Sequence, residues 1–361
     1  MVGPNRRQLL IASALAPVTG SLARAASYPE RPIRIIIPYA AGGVAETVTR
    51  LLAVSMERKL GQKLVIEAKP GAAGNIGTLE VARAEPDGYT ILVAAANNFV
   101  INQFLIKMPV DPLTALVPIA KLADVPIVLF SNPSVPARTL TEFIAYGRAN
   151  PGKLNYGTPS SGTVNHLFIE RLKQATGLDL THVPFRGSPP ATMALLANDI
   201  QLFPVGLAAG ASHLREGKLT ALAAATEQRL PALPDVATVI ESGFPGFIAS
   251  NWWGMAAPKG TPDTIVRLLR AAAVEALDDP AVAERFATLG LLVPHETREQ
   301  FVASLKSEAD LWLQTIQRGN ITIQQRCGGV RSARAPAGDR LTACTIVIAT
   351  MNVAIQAMRA P

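Results

Sequence analysis

The amino-acid sequence predicts an α/β fold in which a mostly parallel sheet is flanked by helices. Short apolar, β-branched runs alternate with segments whose apolar residues recur at helical spacing, starting with a strand at residues 34–38. A helix is expected to begin near Glu46, with a shared apolar face of Val48, Leu51, Leu52 and Met56. Alternation of this kind places strands side by side in parallel and covers both faces of the sheet with helices.

The same pattern continues downstream. Strands are expected at residues 64–66 and 90–93, and the glycine-bearing stretch 71–77 between them leads into a helix that ends near Ala84. Thr139 with Glu142 and Thr297 with Gln300 have capping-box spacing, which predicts two helix starts. Residues 261–262, Thr-Pro, predict another helix by N-cap and N1 proline, with a buried face of Ile265, Leu268, Leu269 and Ala272.

Composition limits the classes of protein that this chain can represent. The 361 residues are 49% hydrophobic and 17% charged, which is enough apolar material for two domains and argues against disorder. The net charge is +7, but arginines in the first 25 and the last 36 residues account for all of it. The body between them is neutral, so no nucleic-acid or membrane-surface partner is inferred.

The two ends of the chain differ from its body. Residues 1–25 are interpreted as a signal peptide, with Arg6 and Arg7 before a short apolar stretch and a small-x-small cleavage pattern at 23–25. The arginine pair also resembles a twin-arginine signal, so the export route stays open. Residues 326–361 form an atypical tail, for which a membrane segment ranks below a strand or an unstructured extension. Both cysteines, Cys327 and Cys344, lie there, so the body has no disulfide framework, cysteine nucleophile or thiolate metal site.

Six motifs follow one another along the body: YPERPI at 28–33, PYAAGG at 38–43, PGAAGNIG at 70–77, PDGYT at 86–90, NPGKLNY at 150–156 and HVPFRG at 182–187. In this order and spacing they resemble the tripartite tricarboxylate transporter receptors, the Bug or TctC-type periplasmic binding proteins. The resemblance covers roughly residues 27–323, which is nearly the whole body.

The resemblance implies a type II-like periplasmic binding protein, or Venus flytrap, with a ligand held between two α/β lobes. Residues 27–128 plus 250–325 would form lobe 1 and residues 129–249 lobe 2, with the chain crossing at 125–131 and again at 251–258. It implies a periplasmic monomer that captures a small carboxylate and passes it to membrane transporter subunits by transient contact. A receptor of this kind is not an enzyme and needs no cofactor or metal.

The candidate site follows from what a carboxylate requires. The body has no cluster of arginines, but two glycine-bearing loops each precede a helix, whose first N–H groups lack internal partners and attract anions. Serine and threonine hydroxyls add donors to the second loop. The predicted ligand-binding residues are Tyr39, Ala40, Gly42, Gly43, Val44, Glu46, Asn97, Thr158, Ser160, Ser161, Gly162, Thr163 and His166.

Two departures and two alternatives accompany this prediction. Glu46 stands where the family usually has aspartate, and Pro204 follows a strand expected to end at Phe203 where the family often has aspartate. One alternative is a secreted serine hydrolase that uses Ser160 or Ser161 with His166, although no G-x-S-x-G motif is present. The other is a ligand-sensing receptor for a membrane signalling partner. Four scattered histidines give no H-x-x-x-H pair, which argues against a metal site.

Overall fold

The computed structural model describes residues 28–323. The predicted signal peptide, the tail at 326–361 and both cysteines lie outside the described residues. Within them, no helix combines the length and the apolar run needed to cross a membrane.

The strands are β1 Ile33–Ile37, β2 Leu64–Ala68, β3 Thr90–Ala95, β4 Leu116–Ser131, β5 Leu154–Thr158, β6 Leu180–Pro184, β7 Leu202–Gly206, β8 Thr220–Ala224 and β9 Ser250–Pro258. The helices are α1 Val44–Leu60, α2 Asn75–Ala82, α3 Ala96–Val100, α4 Asn102–Leu105, α5 Pro112–Ala115, α6 Leu140–Ala149, α7 Val164–Thr176, α8 Ser188–Leu196, α9 Ala211–Arg215, α10 Asp263–Leu277, α11 Pro280–Thr288 and α12 Arg298–Gly319.

The strands pair in the order β2-β1-β3-β9-β4-β7-β5-β6, with β8 added to β4. Strand β1 is parallel to β2 and β3, and β5 is parallel to β6 and β7, so the predicted α/β fold is confirmed. Strands β4 and β9 make antiparallel pairs with their neighbours. Strand β4 pairs with β9 up to Pro126 and with β7 and β8 from Ile127 onward. We call β1–β3, β9 and residues 116–126 the first half-sheet, and β5–β8 and residues 127–131 the second.

Each half-sheet contains the same local unit, strand, loop, helix, strand. In the first half this is β1–α1–β2 and in the second β5–α7–β6. Both helices end at a glycine in the left-handed conformation, Gly61 at φ 67° and Gly177 at φ 69°, where a residue without Cβ avoids steric cost. Because β1 and β5 both run from the sheet into a loop, each candidate loop lies at the carboxyl end of a parallel strand.

The predicted helix starts are partly correct. Helix α1 begins at Val44, two residues before the predicted start, because Gly43 is extended at φ −83° and acts as the N-cap. The capping box of Thr297 and Gln300 is confirmed in both directions. Thr139 caps α6 as predicted, but the Glu142 carboxylate accepts a hydrogen bond from the Arg138 backbone N–H at 2.7 Å.

Two other predictions are wrong in detail. Thr261 does not cap α10, because its hydroxyl donates to the Pro258 carbonyl at 2.8 Å. Pro262 is the N-cap, and the buried face of the helix is centred on Val266, Leu269, Ala272, Ala273 and Ala276, leaving Ile265 and Leu268 half-buried.

Strand β7 does not end at Phe203 but continues to Gly206. Pro204 lies inside it, paired with Leu129 of β4, and its carbonyl accepts a hydrogen bond from Asn165 Nδ2 at 2.8 Å. Strand β7 pairs with β5 at Tyr156–Leu202, two residues before the proline. A proline has no N–H to donate to a ladder, and here it follows the point where β7 pairs with β5.

A buried polar cluster lies where β4 and β9 run side by side. Lys121 Nζ is 2.7 Å from Asp124 Oδ2 and 2.8 Å from Glu296 Oε1, and Trp252 Nε1 donates to Glu308 Oε2 at 3.0 Å. Burial raises the pKa of Glu308 to about 7, and the nearby carboxylates of Asp124 and Glu296 add to this rise, while the hydrogen bond from Trp252 and the charge of Lys121 oppose it. Burial therefore keeps Glu308 protonated through most of the acidic range.

This protonation makes stability depend on pH. Unfolded Glu308 loses its proton near pH 4.5 and folded Glu308 near pH 7, so the folded state binds more protons between these values and stability falls as the pH rises through them. We predict that Glu308→Gln, which keeps an acceptor for Trp252, removes this loss. The free energy of unfolding of the variant relative to wild type should rise by on the order of 2 kcal/mol between pH 5 and pH 8.

Urea unfolding of the purified full-length protein at pH 5, 6, 7 and 8 measures this difference. Glu284→Gln, an exposed carboxylate on α11, is the control and should show no such trend. A constant difference between Glu308→Gln and wild type across this range would show that Glu308 is ionised in the folded protein.

Candidate functional site

The first candidate loop connects β1 to α1. Ala40, Ala41, Gly42, Gly43 and Val44 are all exposed. Gly42 is left-handed at φ 83°, whereas Gly43 is extended at φ −83°, so only Gly42 needs the conformational freedom of glycine. Gly43 provides no side-chain cap for α1. The N–H groups of the first helical turn therefore remain available to an external acceptor.

Glu46 occupies one of the amides that sequence analysis assigned to the ligand. The Gly42 N–H donates to Glu46 Oε2 at 2.7 Å, and Arg50 Nε donates to Glu46 Oε1 at 2.7 Å. These contacts, with the Gly42 hydrogen bond as the larger cause, hold the pKa of Glu46 below its usual range. Glu46 thus places an ionised carboxylate directly behind the first loop.

The second candidate loop connects β5 to α7 and has the same backbone arrangement. Gly162 is left-handed at φ 72°, and its N–H donates to His166 Nδ1 at 3.2 Å, again a side chain four residues later. Thr163 is the N-cap of α7, with its Oγ1 accepting from the His166 N–H at 3.4 Å. Ser160 is exposed, whereas Ser161 and Thr163 are half-buried. Three hydroxyls therefore surround this loop.

Three stacked aromatic side chains lie beside the second loop. His166 and His182 are stacked with ring centroids 4.0 Å apart, and Tyr156 stacks on His182 at 4.9 Å. His182 Nε2 is 2.6 Å from the hydroxyl of Thr158, which is fully buried. Burial lowers the pKa of His166 to about 4, and burial together with the neighbouring His166 lowers the pKa of His182 to about 3. Both imidazoles are neutral at pH 7.

Asparagine side chains join the ends of β1, β2 and β3. The Tyr39 hydroxyl donates to Asn98 Oδ1 and accepts from the Ala95 N–H. Asn98 Nδ2 donates to the Ala73 carbonyl at 3.2 Å. Asn102 Nδ2 donates to the same carbonyl at 3.0 Å and to Asn75 Oδ1 at 2.7 Å. These bonds hold the first loop and the glycine-bearing stretch against α3 and α4.

The second loop also contacts the first half of the molecule. A Cβ added at Gly162 would lie 3.0 Å from Leu105 Cδ1 and 3.5 Å from Ile323 Cγ2. Leu105 ends α4, which follows the carboxyl end of β3. Leu105 and Ile323 therefore lie close to Gly162, and a side chain there would require Leu105 to shift by a few tenths of an ångström in addition to the unfavourable φ.

The predicted residues fall into two groups. Those with exposed or half-exposed surface in the loops are Ala40, Gly42, Gly43, Val44, Ser160, Ser161 and Thr163. The remaining ones hold the loops in place through hydrogen bonds within the protein: Tyr39, Glu46, Asn97, Thr158, Gly162 and His166. Asn97 Nδ2 donates to Asn98 Oδ1 at 3.4 Å and to Asn102 Oδ1 at 3.3 Å. Direct contact of any of them with a ligand stays a prediction.

The hydrolase alternative finds no support in this geometry. In the described chain, His166 Nδ1 accepts from the Gly162 amide, and no hydrogen bond connects His166 to the hydroxyl of Ser160 or Ser161. Nucleophilic catalysis requires the base within hydrogen-bonding reach of the hydroxyl. Within residues 28–323, no group of three or more His, Cys, Asp and Glu side chains is placed to hold a metal ion.

Sequence analysis missed several supporting residues. Asn75, Asn102, Tyr156 and His182 are not among the predicted site residues. One available signal was the pairing of two adjacent parallel strands, since Tyr156 and His182 are register partners on β5 and β6. The asparagine cluster had no such signal, because its members lie on separate short helices, α2, α3 and α4.

Comparison with known proteins gives a consistent result. Residues 48–342 match the family model for the tripartite tricarboxylate transporter family receptor. Protein BugT of Bordetella pertussis is 35% identical over 317 residues, 85% of this chain and 96% of BugT. The periplasmic binding protein BugD has 36% identity and a TM-score of 0.68, with 82% of this chain and 100% of BugD covered. MatC from Rhodopseudomonas palustris, solved with bound malate, has 33% identity and a TM-score of 0.68, with 80% and 100% covered.

The low pKa values of the stacked histidines lead to a second prediction about how stability depends on pH. Unfolded histidine titrates near pH 6.5, whereas folded His166 and His182 titrate near 4 and 3, so the unfolded state binds more protons below pH 6.5 and stability falls as the pH is lowered from 6.5 to 4. We predict that His166→Asn combined with His182→Gln, which keeps polar partners for Gly162 and Thr158, reduces this loss by at least about 2 kcal/mol.

Chemical unfolding at pH 4.5, 5.5, 6.5 and 7.5 measures the effect. His295→Asn is the matched control, because His295 is exposed and outside the stack. Parallel pH profiles for the double variant and wild type would contradict the assignment of neutral, buried imidazoles.

Proposed function

The chain belongs to the tripartite tricarboxylate transporter receptor family, and from that premise we propose that it is exported to the periplasm, holds a small carboxylate between its two halves, and delivers it to membrane transporter subunits. Members of this family are solute-binding receptors and not enzymes. The observation that carries the proposal is the repeated strand–loop–helix unit, which puts a loop with available backbone N–H groups in each half.

We assign residues 27–128 plus 250–325 to one lobe and residues 129–249 to the other, which differs by two residues from the change of strand partners in β4. Support comes from β4, which changes partners from β9 to β7 and β8 between Pro126 and Ile127. The chain leaves the first half-sheet along β4 and returns to it at Ser250, the start of β9. These two long strands are the proposed crossings.

The energetics favour a ligand that is held by both loops. A charge-assisted hydrogen bond contributes about 1.5–3 kcal/mol, whereas a micromolar site needs about 8 kcal/mol in addition to the cost of association. The first-turn N–H groups of α1, the Val164 and Asn165 N–H groups of α7 and the hydroxyl of Ser161 can reach this sum. The Thr163 hydroxyl donates to the Ser160 carbonyl at 3.0 Å and positions the loop instead. One loop alone supplies too few donors.

The relatives support the same class of ligand. The MatC structure holds bound malate, which is a carboxylate, and BugD is described as a periplasmic binding protein. The predicted signal peptide at residues 1–25 is consistent with a periplasmic location. We therefore expect a carboxylate to raise the thermal stability of this protein, because a ligand that binds only the folded state stabilises it by mass action.

A thermal-shift screen of the purified full-length protein against small carboxylic acids tests the proposal. At least one acid should raise Tm in a concentration-dependent way and be recovered chemically unchanged. Gly43→Val should abolish that shift, because its side chain would stand in front of the first-turn N–H groups of α1. The φ of −83° suits valine and the nearest atom to a new Cβ is the Ala40 carbonyl oxygen at 3.6 Å, so the fold should be retained.

A matched pair of variants tests the second loop. Thr163 and Thr139 are both helix N-caps whose hydroxyls accept an N–H three residues later, so replacing either by valine should cost about 1 kcal/mol of stability. Only Thr163→Val should weaken the acid found in the screen, by about tenfold. The receptor proposal fails if no carboxylate shifts Tm, or if the acid is converted to a product.

A further inference from the structure

Helix α7 follows the second loop, and its side chains also reach the first half of the molecule. In its first turn, Asn165 Oδ1 accepts a hydrogen bond from Asn251 Nδ2 of β9 at 3.1 Å. In its last turn, Gln174 Nε2 donates to the Thr315 carbonyl of α12 at 2.9 Å. The two contacts are separated by about 14 Å along the helix axis. The first half therefore constrains the direction of α7 as well as its position.

The side chain of Asn165 is paired on both sides. It is 2% exposed, and its Nδ2 donates to the Pro204 carbonyl of β7 at 2.8 Å while its Oδ1 accepts from Asn251. A carbonyl can only accept, so Pro204 determines which end of the Asn165 amide faces β7 and leaves the oxygen for β9. The hydrogen bond between the halves therefore has one defined direction, with Asn251 as the donor.

The backbone of the same residue carries a donor that the proposed site uses. In the described chain, the N–H groups of Val164 and Asn165 have no side-chain acceptor, whereas the next one, of His166, is accepted by Thr163 Oγ1 at 3.4 Å. Asn165 thus offers its N–H to a ligand while its side chain is bonded to the other half. A carboxylate bound at this turn is linked to β9 through a single residue.

Asn251 lies where the chain returns to the first half. It is the second residue of β9, and it pairs with Val125 just before β4 exchanges β9 for β7 as its partner. The preceding residue is held by the first half as well, because Ser250 Oγ donates to Asp124 Oδ1 at 2.5 Å. The position of Asn251 is therefore set by the first half, and its bond to Asn165 depends on the angle between the halves.

Apolar side chains of the first half lie beside the same end of α7. Gly162 is two residues before the helix, and a Cβ added there would be 3.0 Å from Leu105 Cδ1 and 3.5 Å from Ile323 Cγ2. Moving the halves apart would expose these two side chains to water, which is unfavourable. This contact has no preferred direction, so it favours closeness of the halves, whereas the Asn165–Asn251 bond also specifies their orientation.

We propose that the Asn165–Asn251 hydrogen bond is a latch between the halves, which keeps the first-turn N–H groups of α7 at the angle where they and those of α1 bind one carboxylate. Asn165 and Asn251 are positioning residues, and their side chains do not contact the ligand. When the latch is broken, fewer molecules have both loops in place, and the apparent affinity falls by the same factor. The inference rests on the proposed function for the role of the ligand, but the effect of the latch on the halves does not require a ligand.

Small-angle X-ray scattering of the purified full-length protein without added ligand tests the latch itself. Asn251→Ala removes the donor and leaves the bond from Asn165 to Pro204 in place. We expect the radius of gyration to increase, because the halves then sample wider angles. Asn165→Ala should increase it as well, and the double variant should increase it no further, because all three variants lack the same bond.

Asn132→Ala is the matched control. Asn132 is 7% exposed, its Nδ2 donates to the Leu195 carbonyl at 2.7 Å, and its Oδ1 accepts from the Ser134 N–H at 2.9 Å. Like Asn165, it is a buried asparagine with one donated and one accepted hydrogen bond, but both of its partners belong to the second half. Its loss should lower the stability to urea about as much as Asn165→Ala does and leave the radius of gyration unchanged.

Titration calorimetry with malate, the acid bound in the MatC structure, tests the link to binding. Asn251→Ala should weaken malate by about tenfold relative to wild type, whereas Asn132→Ala should leave its affinity unchanged. The double variant should bind malate no more weakly than Asn165→Ala alone, because the second substitution removes a bond that is already lost. Additive losses would show that the two asparagines act independently.

The outcomes separate this inference from the receptor proposal. An unchanged radius of gyration in Asn251→Ala overturns the latch, and a carboxylate receptor still stands. A larger radius with unchanged malate affinity overturns the role of the two asparagines in positioning the donors. If wild type does not bind malate, scattering alone decides the latch, and the thermal-shift screen decides separately whether any carboxylate is a ligand.

Discussion

The site depends on one backbone constraint, the abrupt turn from strand to helix at Gly42 and at Gly162. Both residues take left-handed φ angles that other residues adopt only at a cost of about 1–2 kcal/mol. In both turns the glycine N–H is accepted by a side chain four residues later, Glu46 or His166. The turn is thereby fixed from inside the protein. In the described chain this leaves the N–H groups of the first two helical residues, Val44 and Ala45 or Val164 and Asn165, without a side-chain acceptor. Similar backbone geometry thus surrounds two different caps, an ionised carboxylate at Glu46 and a neutral imidazole at His166.

Two long strands and one long helix relate these turns to each other. Strand β4 belongs to both half-sheets, and β9 pairs with it along the first. Near the middle of helix α12, the Glu308 carboxylate accepts a hydrogen bond from Trp252 Nε1 of β9. Near the end of the same helix, the Thr315 carbonyl accepts a hydrogen bond from Gln174 Nε2 of α7. A change in the angle between the halves would therefore act on contacts of β4, β9 and α12. The buried Lys121 cluster lies at this junction, where a shift in the position of a carboxylate has an electrostatic cost.

Sequence periodicity was sufficient for β1, β2 and β3 and for the helices that follow a recognisable cap, because β-branched runs and capping residues act locally. It did not predict β4 or β9, the two strands that join the halves. The α/β class, the two glycine loops and the capping box at Thr297 are confirmed on that basis. What periodicity missed depends on contacts between distant positions. Asn75 and Asn102 are 27 residues apart and meet only because parallel strands end at one edge. Pro204 was misplaced at a strand end, because its place inside β7 depends on pairing with Leu129 of the distant strand β4. That the loop residues contact a ligand stays a prediction.

Net charge gives no guidance to recognition in this protein, since the body is neutral although the chain carries +7. Selectivity must then come from charges within a few ångströms of the ligand, which salt screens less than it screens distant ones. The two caps supply this difference at no cost to the fold, because Glu46 and His166 fill the same place in the same turn. The hydrogen bond to the glycine N–H requires only an acceptor, so the charge of the cap is free to vary while the turn is kept. In this turn the charge beside the loop can therefore change by substitution four residues beyond the glycine, while the backbone N–H groups of the first helical turn keep their positions.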